Sequence, residues 1–377
     1  MSVRLKHHIY TSVGGYGTVY ADPAIEKLQL ERLERLAGTL YPRASGRAFM
    51  AFFHFDSQNA LYLKVFRSGV DHVGRPKACV HTILAEVSGA VPPAPEEGWF
   101  LDSAPTQSDI PSLRSRLPNA AERFDIIQTA HLTAQAELTS DPLLSALILA
   151  AVSNRPFYIR GDFFSLMRNL AKVMALIPRP SRLRIRVVCP ASISQLLVPP
   201  NIVMSTFYCV NSETTPPENA AVLSLSPFSA QNLPETNAYI DFLTEASPDE
   251  VSKLVAILER YAPYEPLTCD AYERLVLAFR NCRNTFTLDG EVDISKVRSP
   301  FLVSLRDFLA AGFEKLVTHV LELLTQKVSS NSEIVSLLTS TKTILCDPTS
   351  AQYDRENALD KAIRRLIITL GSRGGLR

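Results

Sequence analysis

Asp71, Arg75 and His81 form the densest polar cluster in the chain, spaced as Asp71-x-x-Gly74-Arg75 with His81 six residues further on. An aspartate, an arginine and a histidine this close together can supply a general base, a general acid and a fixed positive charge. The same spacing also suits a tight turn. Glycine closes it, and the guanidinium fork of Arg75 meets the Asp71 carboxylate, or a partner's carboxylate, at two points. No nucleophile accompanies the three. A structural or partner-binding turn is therefore the leading reading, and a hydrolase-type enzyme using Asp71, Arg75 and His81 is the alternative.

The other chemistry-bearing residues read as structural. His7 and His8 are adjacent, but no further cysteine, histidine or carboxylate stands at a ligand spacing from them, so an ordinary strand start is expected. The six cysteines, Cys79, Cys189, Cys209, Cys269, Cys282 and Cys346, contain no CxxC pair. Reduced core thiols in a cytoplasmic protein account for them. Gly14, Gly15 and Gly17 follow a β-rich run but match neither the phosphate-loop pattern GxxxxGK nor the dinucleotide pattern GxGxxG, which leaves a hairpin or bulge. The nucleophile elbow GxSxG and the zinc motif HExxH are absent too. No catalytic residue, no metal and no cofactor is expected. Arg179, Arg182, Arg184 and Arg186 form a basic edge, either a solvated strand face or a surface for an acidic partner.

The elements that must hold these residues can be read from periodicity. Residues 8–20 predict a strand, a glycine turn and a second strand. Asp22 and Pro23 predict a helix start, with Ile25, Leu28, Leu33 and Leu36 on its apolar face and Gly38 as its stop. Residues 48–55 and 60–66 predict paired strands joined at Ser57-Gln58-Asn59, and residues 79–84 a further strand or a helix start. Residues 88–118, rich in proline, serine and acidic residues, predict a long loop pinned by Trp99 and Phe100. Beyond it, Asp141 and Pro142 start an apolar helix to Val152. Residues 157–159 predict a strand, 163–177 a helix ended by Pro178, and 183–189, 202–210 and 220–225 further strands. From Ser247 the pattern turns helical, with Glu250 completing a capping box and segments 248–261, 269–282, 300–325, 332–343 and 351–370 continuing it. A glycine-bearing tail, 371–377, ends the chain.

These segments predict an α+β protein in three parts. Residues 1–90 form an N-terminal α+β domain, 91–130 a linker or long loop, 131–246 an α/β middle domain, and 247–377 an all-helical C-terminal domain. Lysine and arginine total 39 against 38 for aspartate and glutamate, so a basic surface for nucleic acid is not expected. The N-terminus has no apolar run of a signal peptide, and the longest apolar stretch, near 143–152, is far short of the roughly 20 residues that span a bilayer. A soluble, cytoplasmic protein without membrane insertion is expected.

The opening Ile9-Tyr10-Thr11-Ser12, the glycine turn with Tyr16-Gly17-Thr18, the paired strands over 53–67 and the segment from Asp71 to His81 together resemble the GTPase-associated proteins of bacterial conflict (defence) operons. Arg155-Pro156-Phe157-Tyr158-Ile159, Leu176-Ile177-Pro178 and the strand 183–189 are similar to that family's middle domain. The resemblance covers residues 7–90 and, less fully, 140–195; the helical part matches in type only. It implies a non-enzymatic adaptor acting through protein–protein interaction, with a GTPase and other proteins of its system as partners. It assigns no catalytic residues. In that setting Arg75 has a third use, as an arginine finger regulating the partner's nucleotide turnover.

Overall fold

The computed structural model describes residues 2–41, 48–71, 73–87, 91–122, 141–153, 155–189, 206–210, 215–233, 238–263, 267–297 and 299–327. The protein is a mixed α/β structure with one large mixed sheet. The chain divides into two compact units, Met1–Leu176 with Arg182–Glu235, and Ile177–Ser181 with Thr236–Arg377.

The described residues of the first unit form eleven strands: β1 (Ser2–Ser12), β2 (Tyr16–Ala21), β3 (Phe49–His54), β4 (Asn59–Val70), β5 (Pro76–Glu86), β6 (Ala120–Glu122), β7 (Phe157–Arg160), β8 (Arg186–Cys189), β9 (Thr206–Val210), β10 (Ala221–Leu225) and β11 (Phe228–Gln231). Their order is β11-β10-β7-β9-β8-β3-β4-β5-β1-β2, with β6 added to β1. One half, β3-β4-β5-β1-β2, is antiparallel. In the other half, β10-β7-β9-β8 run parallel, and β8 joins β3 antiparallel. The segments read as separate N-terminal and middle domains thus share one continuous sheet. Both end in strands with unpaired backbone groups, and pairing β3 with β8 removes two edges at once.

The β3–β4 hairpin is where the sequence places it. Asp56 makes its turn, accepting from the backbone N–H groups of Gln58 and Asn59 at 2.8 Å each. Residues 79–84 are strand, not helix: β5 is buried along nearly its whole length, so both of its faces are covered.

Helix α1 (Lys27–Leu40) starts later and ends later than its signals predict. Asp22 caps only a local turn, accepting from Ala24 N–H at 2.8 Å, and Glu26 with Gln29 forms the capping box that starts the helix. Gly38 does not stop it, because Ala37 and Leu40 are drawn onto Phe49, Leu63 and Val65 of the sheet. Burying each such leucine contributes about 1.5–3 kcal/mol, against about 1 kcal/mol for a glycine inside a helix. Leu28, expected on the apolar face, is exposed.

Residues 91–122 are not a linker but a packed strap, while 123–130 lie outside the described residues. Trp99 and Phe100 are buried, as are Leu113 and Leu117, which sit against Ile9, Phe66 and Cys79. Tyr62 donates to the Pro93 carbonyl, Lys77 donates to that of Pro105 at 3.0 Å, and β6 pairs with β1. Apolar side chains spaced through a proline-rich run give no helix or strand period, so the sequence hides this packing. Beyond the strap come α2 (Pro142–Val152), capped by Asp141, and α3 (Phe163–Leu176). Strand β8 is shorter than 183–189, since Arg179–Arg182 forms a single helical turn before it.

The described residues of the second unit form α4 (Ala238–Glu245), α5 (Pro248–Tyr261), α6 (Cys269–Cys282), α7 (Ser299–Ala310) and α8 (Glu314–Lys327). Ser247 and Glu250 form the expected capping box, and Thr268 caps α6. The stretch 300–325 is two helices, broken at Gly312, whose φ of 93° a helix cannot accommodate. The expected segments 332–343, 351–370 and 371–377 lie outside the described residues. Among the described residues no helix is long and apolar enough to cross a membrane.

Gly290 closes a turn packed on α5. It has φ 73°, and a Cβ added there would stand 2.8 Å from the Ala256 carbonyl carbon and 2.9 Å from the Ile257 nitrogen. Gly14 has a similar φ of 76° with nothing within 4 Å. Gly14→Ala is therefore expected to destabilise by about 1 kcal/mol, the backbone term alone, and Gly290→Ala by about 2–4 kcal/mol, because overpacking against backbone adds to it. Urea unfolding midpoints of the two variants check the difference.

Candidate functional site

The Asp71 turn is one of the most locally determined parts of the chain. Asp71 N–H donates to the Arg75 carbonyl at 2.7 Å, and Gly74 N–H to the Asp71 carbonyl at 3.0 Å. The Asp71 carboxylate accepts from the backbone N–H of Val73 and of Arg75 at 2.9 Å each. Its second oxygen accepts from Nε and Nη2 of Arg75, both at 2.9 Å. Partial burial pulls the Asp71 pKa up, and the two N–H donors with the Arg75 guanidinium outweigh that pull, so the carboxyl titrates below its ordinary range. Asp71 is enclosed, while two thirds of the Arg75 side chain faces solvent.

His81 is not part of this turn. Val70 pairs with Pro76 at the hairpin end, and His81 stands five residues further along β5, opposite Lys64. At about 3.3 Å per residue, that separates it from the turn by roughly 16 Å. The structure therefore brings Asp71 and Arg75 together and leaves His81 apart. One common substrate cannot reach all three, so the acid–base constellation expected of a hydrolase does not assemble.

What His81 does meet is His7. In the β1–β5 ladder, His7 faces Ile83 and Ile9 faces His81, so the two histidines form a diagonal pair on one face, while His8 stands opposite Thr82 on the other. Neither histidine of the His7-His8 pair is at a strand start; both are buried within β1. His7 Nδ1 lies 3.0 Å from His81 Nε2, and its ring is 5.2 Å from that of His81.

Fixed donors decide the proton positions. Leu101 N–H donates to His81 Nδ1 at 3.1 Å, so neutral His81 carries its proton on Nε2 and donates to His7 Nδ1. His7 then carries its proton on Nε2 and donates to the Pro118 carbonyl at 2.6 Å. On the opposite face, Thr18 Oγ1 donates to the Glu34 carboxylate at 2.7 Å, which makes it the acceptor of His8 Nε2–H at 3.0 Å. Thr82 Oγ1 then donates to His8 Nδ1 at 3.1 Å. Every ring nitrogen of the three histidines is satisfied with the rings neutral.

Electrostatics agree with that assignment. Burial lowers the pKa of His7, against the opposing pull of the Pro118 carbonyl and the Asp22 charge. Burial brings His8 down to about 4, although Glu34 favours its cation. Burial holds His81 well below its ordinary value, and the neighbouring His7 and Lys64 add to that.

The His7–Pro118 end of this chain borders a cavity of about 270 Å³ lined by Arg4, His7, Tyr20, Asp22, Arg114 and Leu117, among others. Arg4 Nη2 lies 3.8 Å from Asp22 Oδ1. Two guanidiniums thus stand against one carboxylate, with His7 neutral and its N–H already used. The cavity has the charge to hold a small carboxylate or phosphate. Nothing in the spacing of Arg4, His7, Tyr20 and Arg114 could reveal it, since the strap brings the last of them across the sheet. Among the described residues, no group of three or more histidine, cysteine or carboxylate side chains is placed to hold a metal ion.

Three buried neutral histidines make an acid-labile core. Their folded-state pKa values lie below the unfolded value of about 6.5, so as pH falls the unfolded chain takes up protons first. Stability is full above about pH 6.5 and drops below it, by up to roughly 1.4 kcal/mol per pH unit for each histidine. For His8, whose folded pKa is about 4, the loss between pH 7.5 and 5 is expected to be about 2 kcal/mol. Urea unfolding of wild type and His8→Leu at the two pH values checks it: the variant is less stable at pH 7.5 and loses about 2 kcal/mol less on acidification.

No family model and no curated protein matches the chain.

Proposed function

We propose that this chain is a non-enzymatic adaptor that couples a GTPase to other components of a bacterial conflict system. The observation that carries the reading is the tip of the β4–β5 hairpin. Val70 is 65% exposed and Val73 61% exposed, on either side of Asp71. Large apolar side chains held in water beside an arginine make a surface suited to a protein partner. Asp71, Val73, Gly74 and Arg75 are held by hydrogen bonds among themselves, so docking loses little conformational freedom at these residues. Asp71 takes two of the five guanidinium donors of Arg75, and the others can meet a partner's carboxylate. The resemblance of residues 7–90 and 140–195 to the GTPase-associated proteins supplies the identity of the partner. In this reading, 247–377 is one all-helical C-terminal domain, the protein works in the cytoplasm, and it needs no cofactor, nucleic acid or membrane.

The test is co-purification of the full chain with the GTPase encoded beside it. Binding is expected, and Val70→Thr combined with Val73→Ser is expected to weaken it tenfold or more, about 1.4 kcal/mol, at an unchanged unfolding midpoint. Absence of a bound GTPase, or equal affinity of the double variant, rejects the reading. The regulator reading needs Arg75 to leave Asp71 and enter the partner's nucleotide site. GTP turnover measured with wild type and with Arg75→Ala decides it, and equal rates exclude it.

A further inference from the structure

The parallel strands β8 and β9 are in register from Arg186↔Thr206 to Val188↔Tyr208. The next residues along each are Cys189 and Cys209, at the carboxyl ends of the two strands. Side chains one step beyond a paired position stand on the same face of the sheet, and neighbouring strands lie about 4.8 Å apart. That spacing falls in the window of about 4.4–6.8 Å between Cα atoms that a disulfide requires. Each thiol shifts the ionisation of the other.

We propose that Cys189 and Cys209 are a dithiol oxidation site, converted reversibly to a cross-strand disulfide by a hydroperoxide. Cys189 is the attacking thiol, because it is the partly exposed member, while Cys209 is 1% exposed. The neighbouring Cys209 lowers the pKa of Cys189, against burial and the Asp162 charge. The neighbouring Cys189, with burial, pushes the Cys209 thiol up.

The chemistry balances in two steps. The Cys189 thiolate attacks one peroxide oxygen; an S–O bond forms, the O–O bond breaks, and the departing oxygen leaves as water or alcohol after taking a proton. This leaves Cys189 as the sulfenic acid. The Cys209 sulfur then attacks the Cys189 sulfur; the S–S bond forms, the S–O bond breaks, and hydroxide leaves with the Cys209 proton as water. Two thiols lose two electrons and the peroxide gains them. A small-molecule dithiol reverses the change by thiol–disulfide exchange.

Burial sets two of the other thiols apart from this pair. Burial pushes Cys79 and Cys282 up to about 12, so neither forms thiolate at neutral pH. Cys269, on α6, is exposed and is the comparison thiol of the experiment.

The experiment treats the native full chain with hydrogen peroxide, alkylates the remaining thiols after unfolding, and maps the peptides by mass. Expected is a Cys189–Cys209 linked peptide lacking two hydrogens, with Cys79 and Cys282 alkylated, and full recovery of both thiols after dithiothreitol. In Cys209→Ser, Cys189 is expected to stop at the sulfenic acid and be trapped by dimedone. In Cys189→Ser, Cys209 is expected to react at least about tenfold more slowly than Cys189 does in wild type. Wild-type oxidation confined to Cys269, or Cys189 passing to the sulfinic acid with Cys209 still free, overturns the proposal without recourse to any variant.

Discussion

The pairing of β1 with β5 is the constraint on which the rest of the first unit depends. Its register runs without a slip from Leu5↔Ala85 to Thr11↔Cys79. Because side chains alternate, it sends Val3, Leu5, His7 and Ile9 to the face covered by the strap, and His8 and Tyr10 to the face covered by α1. A slip of one residue would exchange the two sets. The apolar contacts of Ile9 with Leu113 and Leu117, the His7–His81 bond and the His8–Thr82 bond would all be lost together.

Buried imidazoles in such a ladder are a risk that the surrounding chain removes. An unpaired buried polar group costs about 1–3 kcal/mol, so rings with open nitrogens would outweigh several apolar contacts. Here the strap supplies Leu101 N–H at one end and the Pro118 carbonyl at the other. The histidine pair and the strap specify each other: the rings need these two backbone groups, and the strap is held in place partly by serving them. That mutual dependence favours a structural role for the His7–His81 pair, and only His7 of the two borders the adjacent cavity.

The two halves of the sheet carry different chemistry for a topological reason. In the antiparallel half, β3, β4 and β5 are joined by short local turns, whose polar residues are spent within a few positions, as at Asp56 and Asp71. The parallel half needs long crossovers, and its strand ends collect residues far apart in sequence, as at Cys189 and Cys209.

Short-range features were legible from the residues alone. The β3–β4 hairpin, the Asp71–Arg75 turn, the Asp141 cap and the Ser247–Glu250 capping box each close within about six positions, and each follows from side-chain geometry acting on its own backbone. Where local signals competed with burial, burial won, as when α1 ran past Gly38 to place Leu40 on the sheet. The hydrogen-bond chain from His81 through His7 to Pro118 was beyond reach for the same reason. His7 meets His81 at a separation of 74 positions and Pro118 at 111. Cys189 meets Cys209 only because two parallel strands share a register. Sequence alone thus determined which residues bend, cap and alternate. The tertiary structure decided which of them meet, because strand register and the covering of each sheet face are set by the whole apolar surface rather than by any spacing along the chain.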